Sequence, residues 1–148
     1  MKKNINITTR FHLGVYAILL NKESILLIKK ARGPYTGKLD LPGGKPEHGE
    51  TPFQTLIREA EEEASVKILT TKLLDNYSTV AHQAIGSTQE ATHHLGMIYL
   101  ALSYDDSNLT SEINAEDSLG AEWYQMDSLT QDMLSPFAFR AIQDIKKI

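Results

Sequence analysis

Between Gly44 and Val66 the chain sets Glu50, Arg58, Glu59, Glu62 and Glu63 in a pattern that can do chemistry. At roughly 100° per helical residue with Glu59 at zero, Glu62 falls near 300° and Glu63 near 40°, so three carboxylates share one narrow face. Glu59 faces both of the others at i+3 and i+4, and like-charge pairs at that spacing are unfavourable by roughly 0.2–0.5 kcal/mol each. Glu62 and Glu63 also sit in the last turn, where the helix dipole disfavours anions. A purely solvating face would alternate in sign. A hard divalent cation such as Mg²⁺ would convert that repulsion into binding, because it takes carboxylate oxygens together with water and substrate phosphates. Arg58 falls near 260° on the same wheel, at roughly 100° per residue, where its fork can orient a glutamate. The chemistry such a cation would bring is the binding of phosphate oxygens and the activation of a bound water.

The elements that must position these groups can be read around them. Thr51-Pro52-Phe53-Gln54 supplies a capping threonine, a first-turn proline and a reciprocal glutamine, which starts a helix at Thr51 and carries it to about Ala64. Leu56, Ala60, Phe53, Ala64 and Ile57 form its apolar stripe. Gly43-Gly44 lets the backbone turn sharply just upstream and approach the site closely, and a carbonyl at Gly44 is a further candidate ligand. Phe11 to Leu20 and Ser24 to Lys30 read as a hairpin, Leu39-Asp40-Leu41 as a short strand, and Ala31 to Lys38 as a loop. Strands are expected over Val66 to Leu74, Tyr77 to Ala81, His94 to Tyr104 and Ala121 to Met126, with the polar stretch His82 to Thr92 as a connecting loop. Ser135-Pro136 opens a closing helix with Ala138, Ala141, Ile142 and Ile145 on one stripe. The order lacks regular βαβ alternation, which points to an α+β or α/β/α layering around a mixed sheet.

Composition narrows the function further. At 148 residues and 41% hydrophobic content the chain suits one compact domain, 1–148. A net charge of -4 argues against a grip on a nucleic-acid polymer, which needs a basic face. There is no cysteine, which removes disulfides, thiolate catalysis and thiolate zinc sites and suits a cytoplasmic setting. Neither a signal peptide nor a membrane span is expected. A homodimer is neither indicated nor opposed.

Gly44, five residues, Glu50, seven residues and then Arg58-Glu59-Ala60-Glu61-Glu62-Glu63-Ala64-Ser65-Val66 resembles the Nudix box of MutT-like hydrolases. Gly37 to Gly44 looks like that family's approach to the box, and Ala121-Glu122-Trp123 like its late tryptophan strand. Ser65 stands where the family usually has glycine, and Leu39 where many members have tryptophan. The resemblance implies an α/β/α sandwich around a mixed β-sheet and hydrolysis of a nucleoside diphosphate derivative with Mg²⁺ or Mn²⁺. Carried over by position, Glu59, Glu62, Glu63 and the Gly44 carbonyl hold metal, and Arg58 orients them. Glu59 is the first candidate for general base, with Glu62 and the loop acids Glu116 and Asp117 as alternatives. Arg32, Tyr35 and Lys45, close to the box in sequence, are candidates for substrate contact. The leading substrate class is a nucleoside triphosphate, ordinary or oxidised. ADP-ribose, nucleotide sugars and dinucleoside polyphosphates are alternatives, and a non-catalytic nucleotide sensor on the same fold is the contrasting class. His93 and His94, adjacent on a strand, point to opposite faces and are poorly placed to share one ion.

Overall fold

A computed structural model describes residues 6–112 and 118–147. In chain order the elements are β1 (Ile7–Ile18), β2 (Leu20–Asn21), β3 (Ser24–Lys30), β4 (Leu39–Asp40), β5 (Gly43–Gly44), α1 (Pro52–Ala64), β6 (Lys67–Ile85), β7 (Thr88–Asp105), β8 (Ser118–Gln125) and α2 (Pro136–Lys146). One sheet runs β5-β1-β7-β6, with β1 and β7 parallel and its other pairs antiparallel. The other joins β2, β3 and β4, with β8 on the free side of β3. Ala17 N–H donates to the Pro42 carbonyl at 2.9 Å and Leu26 N–H to that of Leu19 at 3.1 Å, tying the two sheets into one layer.

Strand alternation explains why helices cover both faces. Val15, Ala17 and Leu19 of the first chain segment pack with Leu26 and Ile28 of β3 against Leu56, Ala60 and Ala64 of α1. The intervening residues Tyr16, Ile18, Ile25 and Leu27 turn the other way, onto Phe137, Ala138, Ala141 and Ile142 of α2. The result is the α/β/α sandwich that the order of elements implied, with the second half of β1 and most of β3 buried on both sides as near-continuous apolar runs.

The helix that carries the glutamates begins as its sequence dictates. Thr51 accepts from Gln54 N–H, and the Gln54 side chain returns a bond to Thr51 N–H, completing the capping box. Its packed side differs from the expected stripe: Leu56, Ala60 and Ala64 are buried together with Thr55 and Glu63, whereas Phe53 is partly exposed. At the far end Ser65 adopts the left-handed conformation at φ 55° and ψ 37°, the geometry that favours glycine. Ser65→Gly should therefore stabilise the fold by about 0.5–1 kcal/mol, raising Tm by roughly 1–4 °C in a thermal melt. An unchanged or lowered Tm would show that Ser65 makes good its strain through its side chain. Leu39 fits its place as a buried core residue on β4, and its carbonyl receives Ser135 N–H at 2.9 Å.

The expected loop from His82 to Thr92 is instead the distal part of a long hairpin. β6 and β7 pair from Lys67↔Asp105 out to Ile85↔Thr88, with Gly86 at φ 60° in the two-residue turn. Polar alternation concealed the strands, because neither face of this ribbon is fully buried; a two-residue turn with positive φ was the available signal. β1 extends the ribbon by pairing Ile7↔Gln89 through Ile18↔Leu100. No helix among the described residues is long and apolar enough to cross a membrane.

Candidate active site

Arg58 is the hub of the acidic face. Its Nε and Nη2 donate to the two oxygens of Glu50 at 2.8 and 2.9 Å, a bidentate fork. Nη1 donates to Glu59 Oε1 at 2.9 Å and to Glu62 Oε2 at 3.3 Å, and Nη2 also reaches the Lys45 carbonyl at 3.1 Å. One guanidinium thus ties the loop before the helix to two glutamates on the helix. Glu50 further accepts from Glu47 N–H and the Thr55 hydroxyl. With the Arg58 hydrogen bonds foremost, its carboxyl is held down at about 2. Glu50 thus braces the loop against the helix, and Arg58 engages more carboxylates than the single one its spacing suggested.

Gly44 permits the closeness of Glu59. A Cβ there would lie 2.7 Å from Glu59 Oε1 and 2.8 Å from its carboxyl carbon, so any larger residue would push the Glu59 carboxylate from this position. Glu63 behaves differently from its neighbours, being 2% exposed. Its Oε1 accepts from Gly43 N–H at 2.8 Å. Burial pushes the Glu63 carboxyl well above its ordinary value, opposed by the Gly43 hydrogen bond and reinforced by the charge of Glu59. Glu62 is half exposed and Glu61 points to solvent.

Among the described residues no three His, Asp or Glu side chains converge on one ion-sized point, since Arg58 lies against both Glu59 and Glu62. The donor chemistry nonetheless fits a hard divalent cation: Glu59 and Glu62 share the Arg58 guanidinium, Glu63 lies on the Gly43 amide, and the missing Cβ of Gly44 leaves room at Glu59. Glu116 and Asp117, the alternative acids, lie outside the described residues.

Next to this face opens a cavity of about 380 Å³. Arg32, Tyr35 and Lys45 all line it, so the structure brings the three sequence candidates together. Lys45 links it to the acidic face, because its carbonyl is the one that Arg58 holds. Sequence reasoning missed the floor: Tyr16 and His94, which pack on Phe137 of α2, and Asp40, which reaches Ser135 at the start of α2. The parallel register of β1 with β7, which sets His12 beside His94, has no local signature.

His94 is buried between two phenols. Its Nε2 bonds the Tyr16 hydroxyl at 2.6 Å and its Nδ1 the Tyr35 hydroxyl at 3.2 Å, while Phe137 packs 4.3 Å from its ring. Burial, then the neighbouring His12 and Lys30, drives its pKa down to about 3, so the imidazole is neutral. Tyr35 stacks over it, with its own hydroxyl pushed up to about 12 by burial and then by Asp40. His93 is exposed and bonds Ser78 on β6, which agrees with the expectation that the two histidines face apart.

Asp40 is 3% exposed. Its Oδ1 accepts from Leu41 N–H at 2.8 Å and from the Ser135 hydroxyl at 2.6 Å. Ser135 in turn caps α2 by accepting from Ala138 N–H. Burial raises the Asp40 pKa, opposed by Ser135, Lys30 and the Leu41 amide.

The family model for the NUDIX domain matches residues 10–145. An ADP-ribose pyrophosphatase of Methanocaldococcus jannaschii is 28% identical over 118 residues, covering 79% of this chain and 63% of that protein, so the chain spans under two thirds of this relative's length. Among solved structures, the MutT NUDIX hydrolase from Burkholderia pseudomallei superposes with a TM-score of 0.71 at 25% identity, over 90% of this chain and 97% of the other. The NUDIX domain of Shewanella oneidensis NrtR, crystallised with ADP ribose, gives 0.60 at 17% identity over 99% and 89%.

Proposed function

This chain belongs to the NUDIX family, and from that premise we propose that it is a divalent-metal-dependent pyrophosphohydrolase cleaving the diphosphate linkage of a nucleoside diphosphate derivative. The observation that carries the reading is the Arg58 hub, which orders Glu50, Glu59 and Glu62 beside the gap left by Gly44.

Glu59, Glu62 and Glu63, with the Gly44 carbonyl, would hold Mg²⁺ or Mn²⁺. Such an ion, when bound, neutralises the diphosphate, polarises phosphorus and lowers the pKa of water. The protein's own groups do the rest. Arg58, anchored bidentately on Glu50, fixes Glu59 through its Oε1 so that the carboxylate can take the proton of the attacking water. Glu62, on the same guanidinium, is the alternative base. Lys45 and Arg32 line the cavity beside this centre and would meet phosphate oxygens. Tyr35 offers a ring face to the nucleoside.

The substrate class proposed first is a nucleoside triphosphate, ordinary or oxidised, as expected from the sequence. ADP-ribose is the second, favoured by the curated relative. A screen of phosphate and pyrophosphate release over nucleotides, oxidised nucleotides, ADP-ribose, nucleotide sugars and dinucleoside polyphosphates, with each metal, tests both. Turnover confined to one class identifies the substrate; silence throughout overturns the hydrolase reading in favour of a sensor. In the same samples Mg²⁺ or Mn²⁺ should raise Tm, by about 2.7 kcal/mol of stabilisation at a hundredfold excess over Kd. No shift with either ion would remove the metal site.

A further inference from the structure

The cavity beside the acidic face contains one acceptor that its surroundings leave half used. Asp40 is almost wholly buried, and both protein donors that reach it, Leu41 N–H and the Ser135 hydroxyl, converge on Oδ1. No buried side-chain nitrogen or oxygen among the described residues lacks a partner, so Oδ2 is the atom through which Asp40 borders the cavity. A carboxylate withdrawn from water with one oxygen bonded twice favours a further donor on the other. The rings of Tyr35 and His94 stand close by, and Arg32 and Lys45 bring positive charge. These neighbours suit a planar or hydroxylated group tethered to an anion.

We propose that Asp40 determines specificity by accepting, through Oδ2, a hydrogen bond from a donor-bearing edge of the ligand group that enters this cavity. The inference rests on the nucleoside diphosphate reading and adds to it a direction of selection: donors are accepted, and a carbonyl or other acceptor at the same point is refused. An amino-bearing base and a sugar hydroxyl share this chemistry. Asp40 also fastens β4 to the cap of α2 through Ser135, a structural task confined to Oδ1. Its two oxygens therefore serve separate ends.

Asp40→Asn separates them. Leu41 N–H and Ser135 both donate toward Oδ1, so the amide oxygen should stay there and its NH₂ turn to the cavity, replacing an acceptor by a donor without changing shape. The measurement is kcat/KM for matched diphosphate substrates: amino against oxo bases (cytidine and uridine, adenosine and inosine), and ribose against deoxyribose. The wild-type protein should prefer the donor-bearing member of one series by about 10-fold or more, because a site built to pair a donor rejects the analogue that leaves it unpaired. Asp40→Asn should abolish or invert that ratio with Tm little changed. A shift confined to the amino/oxo pairs identifies a base, and one confined to the sugar pairs a hydroxyl. Equal wild-type rates within every pair overturn the proposal whether or not the variant folds, as does a variant that keeps the wild-type ratios. If the wild-type protein hydrolyses none of them, the hydrolase reading fails separately, and the same ratios are read as Kd for the nucleoside diphosphates by calorimetry.

Discussion

Glu59→Gln and Glu62→Gln each lower metal-dependent turnover by about 10²–10⁴-fold, the range over which charge stabilisation and general-base groups act. The fold survives, since Glu62 is half exposed and Glu59 only partly buried, and removing one of several like charges on a helix face relieves repulsion. Glu63→Gln should lose rate similarly through the missing charge, while the fold survives because the amide oxygen can still accept from Gly43 N–H. Glu61→Gln, on the solvent side of the same helix, is the control and should retain full turnover. Steady-state kinetics beside thermal melts read the two effects separately. Wild-type rates in the Glu59 and Glu62 variants, or a Glu61 variant as slow as they are, would dissolve the assignment of this face.

The second large effect is on stability. Gly43 has φ +145°, and a Cβ there would lie 2.1 Å from the Val15 carbonyl oxygen and 2.7 Å from Tyr16 Cα, both backbone atoms that cannot step aside. Gly43→Ala must therefore shift the β5–β1 pairing, with a loss of about 3 kcal/mol or more and a fall in Tm of roughly 6–12 °C. The same shift moves the Gly43 N–H that holds Glu63, so turnover should fall in the fraction that remains folded. Gly49→Ala calibrates the result: its φ is also positive, at +85°, but open space surrounds it, so only backbone strain is incurred. Equal losses at the two positions would mean that the close approach to β1 contributes nothing.

How much of this could be read from the chain depended on the range of each interaction. The cap at Thr51 and the run of the helix to Ala64 are set within a turn or two and were legible, whereas Gly43-Gly44, expected as a sharp turn, pairs with β1 as β5 through partners distant in sequence. Arg58 was legible as an orienter, but its grip on Glu50 depends on how the loop from Lys45 to Glu50 returns to the helix, which spacing alone does not state. Phe53 was misplaced on the buried stripe because the wheel cannot say how far the sheet extends beneath the first turn. Asp40, Tyr16 and His94 were missed for another reason. Their meeting is made by a parallel strand pair and by the cap of a helix 95 residues further on, contacts with no local imprint. Arg32, Tyr35 and Lys45 were found by nearness to the box rather than by their own pattern.

The twelve-rung parallel ladder between β1 and β7 has a consequence for how this molecule can vary. Side chains along a strand alternate, so sliding either strand by one position would carry His94 out to solvent and turn His93 into the cavity. The ribbon's exposed face, with Phe11 and Val80, is therefore free in spelling but not in length. Substitutions there are read one at a time, whereas a single inserted or deleted residue is read by every rung between it and the cavity floor. The part of the protein that looks most dispensable by exposure acts as the ruler for the part that is most enclosed.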